Sequence, residues 1–148
     1  MDKPSRESLS ASQFLEWQAK SALILTPKFQ RRNVWKLPQK SYFIDTILRD
    51  MPVPPIYIRN IFNVERRQVV HEVIDGQQRM RAILDFIEDK YALSKSLDNP
   101  HKGLYFSKLP KDDQTAILKY RFNCEMFDDI SDSEVIDIFR RMKLFAEI

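Results

Sequence analysis

The stretch Val73 to Ile83, VIDGQQRMRAI, holds one of the chain's two glycines, with an acid, two amides and two arginines gathered around it. A strand-like run ends at Asp75-Gly76, and Met80, Ile83, Leu84 and Ile87 then repeat at helical spacing, so this box straddles a strand-to-helix junction. A helix start carries backbone N–H groups without intrahelical partners and the positive end of the macrodipole, which favours an anion, phosphate above all. Gly76 lets a ligand oxygen approach the backbone. Gln77 and Gln78 add amide donors, and Arg79 adds a planar fork suited to phosphate. For Asp75 two roles are open: holding Mg²⁺ or a water beside a triphosphate, or capping the helix. The residue types leave both an ordinary polar turn and a phosphate site available, with Asp75 and Arg79 as the candidate catalytic pair.

The two arginines separate by geometry. At roughly 100° per residue, Arg79 and Arg81 fall on opposite flanks of the apolar face. Arg79, nearer the first turn, is assigned to the ligand, and Arg81 to the surface or to a contact elsewhere in the chain. A second cluster, Lys28 to Lys36 (KFQRRNVWK), interleaves Lys28, Arg31, Arg32 and Lys36 with Phe29 and Trp35. Such residues suit DNA phosphates and base stacking, with Lys28, Arg31, Arg32, Trp35 and Lys36 as the contacts. The alternative is a solvated loop with Phe29 and Trp35 tucked into the core. No G-x-x-x-x-G-K-[ST] loop occurs. Glu88-Asp89-Lys90 fits a nuclease-like E-x-K by spacing but reads as a solvated charge run. His71, inside a strand pattern, reads as a structural histidine. One cysteine, Cys124, and two histidines exclude an internal disulfide and make a Cys/His zinc site untenable, so no metal ligands are assigned.

The elements that would position these residues follow from periodicity. Leu9 to Lys20 reads as a short helix and ALIL, ending at Thr26-Pro27, as a strand. Ile44, Ile47, Leu48 and Met51 mark the buried face of a helix that begins near Pro38 and stops at Met51, before Pro52, Pro54 and Pro55. IYIRNIF and QVVHEVI form two strands, paired as a hairpin, and the helix after Gly76 follows. Lys90 to Lys108 carries no clear pattern. Pro110 to Tyr120 is helical, RFNCEMF alternates as a half-buried strand, and Ser131 with Glu134 makes a capping box for a helix burying Val135, Ile138, Phe139 and Met142. This gives an α+β fold, one domain over residues 1–148 with a small mixed sheet and flanking helices.

With 148 residues, 43% hydrophobic and 30% charged, the chain can bury a real core rather than remain disordered. No apolar run approaches a membrane span and MDKPSRESLS lacks a secretory signal, so a cytoplasmic protein without a membrane partner is expected. The net charge of +3 is too small to establish a nucleic-acid partner, although residues 1–36 hold seven Lys/Arg against three Asp/Glu.

Taken together, FQRRNVW, a helix, MPVPPIYI, VIDGQQRMRAILDF, LP and FRR make this sequence resemble the N-terminal domain of GmrSD-type modification-dependent restriction proteins, of the ParB/sulfiredoxin-like superfamily. The resemblance runs from about Phe14 to Met142, and Asp75-Gly76-Gln77-Gln78-Arg79 is its most specific part. It implies that Asp75, Gly76, Gln77, Gln78 and Arg79 bind or act on a nucleoside triphosphate (ATP, GTP or CTP), with Mg²⁺ as a further cofactor. Gln30 and Arg31 would approach the same pocket. It also implies DNA, including modified DNA, and a nuclease domain or subunit as partners in phage defence. The chain departs from the family pattern at Lys143, where an asparagine is usual, and contains no H-N-H arrangement. NTPase activity stays open, and so do a DNA- or partner-binding module without turnover and a truncated remnant. The last fits a final helix that reaches Ile148 with no recognisable stop.

Overall fold

A computed structural model of the chain describes residues 3–26, 29 and 34–146. Five helices surround one mixed sheet of five strands among these residues, an α+β fold as expected. In chain order the elements are β1 (Ser5–Ser10), α1 (Ala11–Ala19), β2 (Leu23–Ile24), α2 (Leu37–Leu48), β3 (Ile56–Asn63), β4 (Gln68–Asp75), α3 (Gln77–Ile87), α4 (Lys111–Lys119), β5 (Arg121–Asp128) and α5 (Asp132–Ala146).

The strands lie in the order β1-β5-β3-β4-β2. β3 and β4 form the expected antiparallel hairpin, β1 runs antiparallel to β5, and the pairs β3·β5 and β2·β4 are parallel. Helices α1 to α4 cover one face: Phe14, Ile44, Ile83 and Ile117 pack there with Ile56, Ile58, Val73 and the alternating Phe122, Cys124 and Met126 of β5. Helix α5 covers part of the other face, where Val135 and Ile138 meet Ile74, Phe127 and Phe29. Burial pushes the Cys124 thiol up to about 12, so it behaves as a small apolar side chain.

Two sequence expectations need correction. The helix read from Leu9 begins at Ala11, because Ser5 to Ser10 form an edge strand and the Ser10 hydroxyl caps the helix by accepting from Gln13 N–H at 3.2 Å. The exposed residues of β1 give no apolar alternation, so sequence periodicity passed it over. Helix α2 stops at Leu48, and Met51 is exposed rather than on its buried face. Asp50 there takes a left-handed φ of 54°, and the N–H groups of Asp50 and Met51 bond back to Ile47 and Thr46 carbonyls. This is a Schellman stop, and it acts before the prolines can. The same stop recurs at Ser21 after α1 and Asp89 after α3, so non-glycine residues fill the left-handed positions in a chain with only two glycines.

The polar stretch 90–108 is held by turn hydrogen bonds of its own backbone, such as Gly103 N–H to the Leu93 carbonyl at 2.7 Å and Leu93 N–H to the Leu104 carbonyl at 3.0 Å, and by side chains. A short 3-10 turn forms at Phe106–Lys108, while buried Asp45 of α2 accepts from Asn99 Nδ2 at 2.6 Å and from Arg49 Nε at 2.8 Å. On the opposite face Arg59 is buried between strands: it bonds Glu72 through Nε at 3.1 Å and Nη2 at 2.8 Å, and reaches Asp132 through Nη1 at 2.8 Å. That fork ties the start of α5 to the middle of the sheet. The Ser131/Glu134 capping box is present, with Glu134 N–H donating to Ser131 Oγ at 3.2 Å and Ser131 N–H donating to Glu134 Oε1 at 3.1 Å.

Candidate nucleotide site

The site is set by a change of register. Tyr57 pairs with Asp75 but Ile58 pairs with Val73, so the β3–β4 ladder slips by one residue as β4 ends. Gly76 follows with φ 106° as the N-cap of α3, a conformation that side-chain-bearing residues rarely adopt. A Cβ at this position would lie 2.5 Å from Ile56 Cδ1, so a larger residue would also have to displace the end of that buried side chain. The backbone thereby leaves the sheet and enters the helix within one residue, with Gln77, Gln78 and Arg79 on the first turn of α3.

Beyond this junction lies a pocket of about 870 Å³, within the range of small-molecule sites. Asp75 to Arg79 line part of it. Helix α2 contributes Pro38, Gln39, Tyr42, Phe43 and Thr46, the following loop Pro52 to Pro55, and α5 Met142 and Phe145. Phe29, Trp35 and Tyr57 complete the lining. The pocket therefore opens where the helices of one sheet face meet the single helix of the other.

Within it, Arg79 Nη2 lies 3.2 Å from Asp75 Oδ2, with side-chain exposures of 12% and 9%, and Arg79 Nη1 also donates to the Pro54 carbonyl. The proline-bearing loop is thus fastened to the D-G-Q-Q-R box. The two glutamines diverge. Gln77 is 3% exposed, and its Nε2 donates to the Thr26 carbonyl at 2.9 Å and the Val73 carbonyl at 3.2 Å, so its amide ties the segment after β2 and the end of β4 to the start of α3. The Gln78 Oε1 accepts from Trp35 N–H at 3.0 Å, while its Nε2, on the same pocket-lining residue, has no hydrogen-bond partner among the described residues. Burial, then the charges of Glu125 and Asp75, push the Tyr57 hydroxyl above its ordinary value, so it stays a neutral donor.

As expected, Arg81 stays outside this lining: its Nη2 donates to the Leu25 carbonyl at 3.1 Å. The helix cap falls to Gly76, and the Asp75 carboxylate pairs with Arg79. Of the front cluster, Lys28, Gln30, Arg31 and Arg32 lie outside the described residues. Lys36 is exposed at the start of α2, Trp35 packs its ring 5.5 Å from Phe43, and Phe29 packs 5.5 Å from Phe139. These two aromatics are therefore packed against the protein. His71 is structural: its ring stacks on Trp17 with centroids 3.6 Å apart and bonds Asn60 Oδ1 at 2.7 Å. Sequence reasoning missed Tyr42, Tyr57 and Phe145 as pocket residues. The M-P-V-P-P run was a signal for its loop, but nothing local places α5 beside it.

A family model for the GmrSD restriction endonuclease N-terminal domain matches residues 12–146. The chain belongs to that family. The match runs from the first turn of α1 to the end of α5, so the D-G-Q-Q-R box, the proline loop and the α5 wall all fall inside the GmrSD N-terminal domain. A comparison with individually characterised proteins gave no match. Among the described residues of this GmrSD domain, no helix is long and apolar enough to cross a membrane.

Proposed function

We propose that this GmrSD N-terminal domain is a ParB-like module that binds a nucleoside triphosphate at the D-G-Q-Q-R pocket, and that it regulates a modification-dependent DNA restriction system. The observation that carries the reading is the convergence of Asp75, Gly76, Gln78 and Arg79 on one pocket at the start of α3. Arg79 supplies a cation and the helix N-terminus supplies a dipole, while the Gln78 amide lines the same pocket with its buried Nε2 lacking a hydrogen-bond partner among the described residues. Gln77 acts by holding the junction in shape. Arg79 is already balanced by Asp75, so phosphates entering here would compete for it. A Mg²⁺ ion arriving with the nucleotide would be held by Asp75 and would offset the phosphate charge. Turnover at such a site would rest on positioning and charge stabilisation, with Asp75 orienting water.

The restriction context, with DNA and a nuclease as partners, is drawn from the family's description. The chain's residues offer no H-N-H arrangement of their own, so cleavage is assigned to a partner domain or subunit.

Thermal unfolding with ATP, GTP or CTP plus Mg²⁺ tests the reading. At a hundredfold excess over Kd, linkage contributes about 2.7 kcal/mol, which for a domain of this size raises Tm by about 5–10 °C. Arg79→Ala and Gln78→Ala should each shrink that shift. A parent protein whose Tm ignores all three nucleotides would overturn the assignment.

A further inference from the structure

The nucleotide reading accounts for part of the pocket and leaves the larger, apolar part of its wall without a role. Two of the aromatic residues there are exposed. Tyr42 on α2 is 69% exposed and Phe145 on α5 is 58% exposed, although both line the same pocket. Large aromatics are left in water at a cost of lost burial, and here two of them line one pocket, carried by helices that cover opposite faces of the sheet. Phe43, Trp35 and Val53 add to the apolar lining. The same pocket is lined by Arg79 and the N-terminus of α3.

We infer that Tyr42 and Phe145 form the nucleobase subsite, gripping the base in the pocket while Arg79 and the start of α3 take the phosphates. The inference rests on the nucleotide reading above and names the residues that read its ring. The pocket's composition supports it: a nucleoside triphosphate is itself a flat aromatic ring joined to a polyanion, and this one cavity is lined by aromatic and apolar side chains together with Arg79 and the start of α3. Stacking accepts any base, since each has a π-face, so Tyr42 and Phe145 supply affinity without choosing purine or pyrimidine. A base held between α2 and α5 also links the two layers of the domain, so occupancy steadies the distal turns of α5.

Calorimetric titration of the full chain, in Mg²⁺, with ATP, CTP and inorganic tripolyphosphate, separates the possibilities. Tyr42→Ala and Phe145→Ala should each weaken ATP and CTP by roughly 5- to 150-fold, the range expected for loss of one stacked ring. Both should leave tripolyphosphate binding unchanged, and Tyr42→Phe should retain the parent's affinity. Because both side chains are exposed, the alanine variants keep the fold. Parent-like nucleotide affinity in both alanine variants overturns the subsite and leaves the nucleotide reading intact, as does an equal loss for tripolyphosphate. A parent that binds neither nucleotide nor tripolyphosphate overturns both.

Discussion

At the scale of single residues, Gly76 has the narrowest tolerance in the D-G-Q-Q-R box. Its φ of 106° and the 2.5 Å approach of a built Cβ to Ile56 Cδ1 mean that Gly76→Ala must strain the turn and displace a core side chain. The combined cost is about 2–4 kcal/mol, readable by urea denaturation; a loss under 0.5 kcal/mol would show that the turn relaxes freely. His71 makes a pH prediction. Burial lowers its pKa below the ordinary 6.5. The Asn60 amide is oriented by donating to Asp128 at 2.9 Å, which leaves Asn60 Oδ1 to accept the Nδ1 proton of neutral His71. A histidine with a depressed folded pKa supports the fold above its unfolded pKa. That support is lost as pH falls through about 6.5 toward the folded value. Tm should therefore drop between pH 7.5 and 5.5, and His71→Gln should flatten that part of the profile; an unchanged slope would remove His71 as its cause. Both residues stand out in sequence, but only in part. Glycine at a strand end signals a turn, whereas the clash with Ile56 depends on a neighbour twenty residues away.

At the scale of elements, periodicity exposed those that bury one face, such as α3, the β3–β4 hairpin and β5. It failed where exposure removes the signal, as in β1, and where a local backbone stop outranks the pattern, as at Asp50. The pocket was half legible. The D-G-Q-Q-R part is contiguous in sequence, but its α5 wall arrives from the far side of the sheet. What holds that wall in place includes a charge network no spacing rule finds: Arg59 on β3, Glu72 on β4 and Asp132 at the start of α5. Removing the arginine strands a buried carboxylate at Glu72, so Arg59→Leu should cost about 3–5 kcal/mol. Asp132 is exposed and regains water. The double change Arg59→Leu with Glu72→Leu should recover most of the loss, and denaturation of the three variants measures it. A double variant no better than the single would mean that the pair does more than neutralise itself.

At the scale of the whole molecule, the two sheet faces are unequal. Four helices and the larger cluster of buried side chains hold one face, while α5 rests on the smaller cluster around Ile74, Phe127, Val135 and Ile138. Local opening follows such differences. Amide hydrogen exchange should find α5 exchanging well before β3 and β4, with bound nucleotide slowing exchange around Met142 and Phe145. Protection in α5 equal to that of the hairpin would contradict this. The pairing of β1 with β5 has a different outcome, in time rather than in energy. Ser5 lies opposite Met126, so during synthesis at about 5–20 residues per second the first strand waits roughly 6–25 s for its neighbour. Its residues Ser5, Arg6, Glu7 and Ser8 are all exposed in the finished sheet, and a strand so polar can wait on the ribosome without recruiting the wrong edge. The same lack of apolar alternation that hid β1 from periodicity equips it to be made first and paired late.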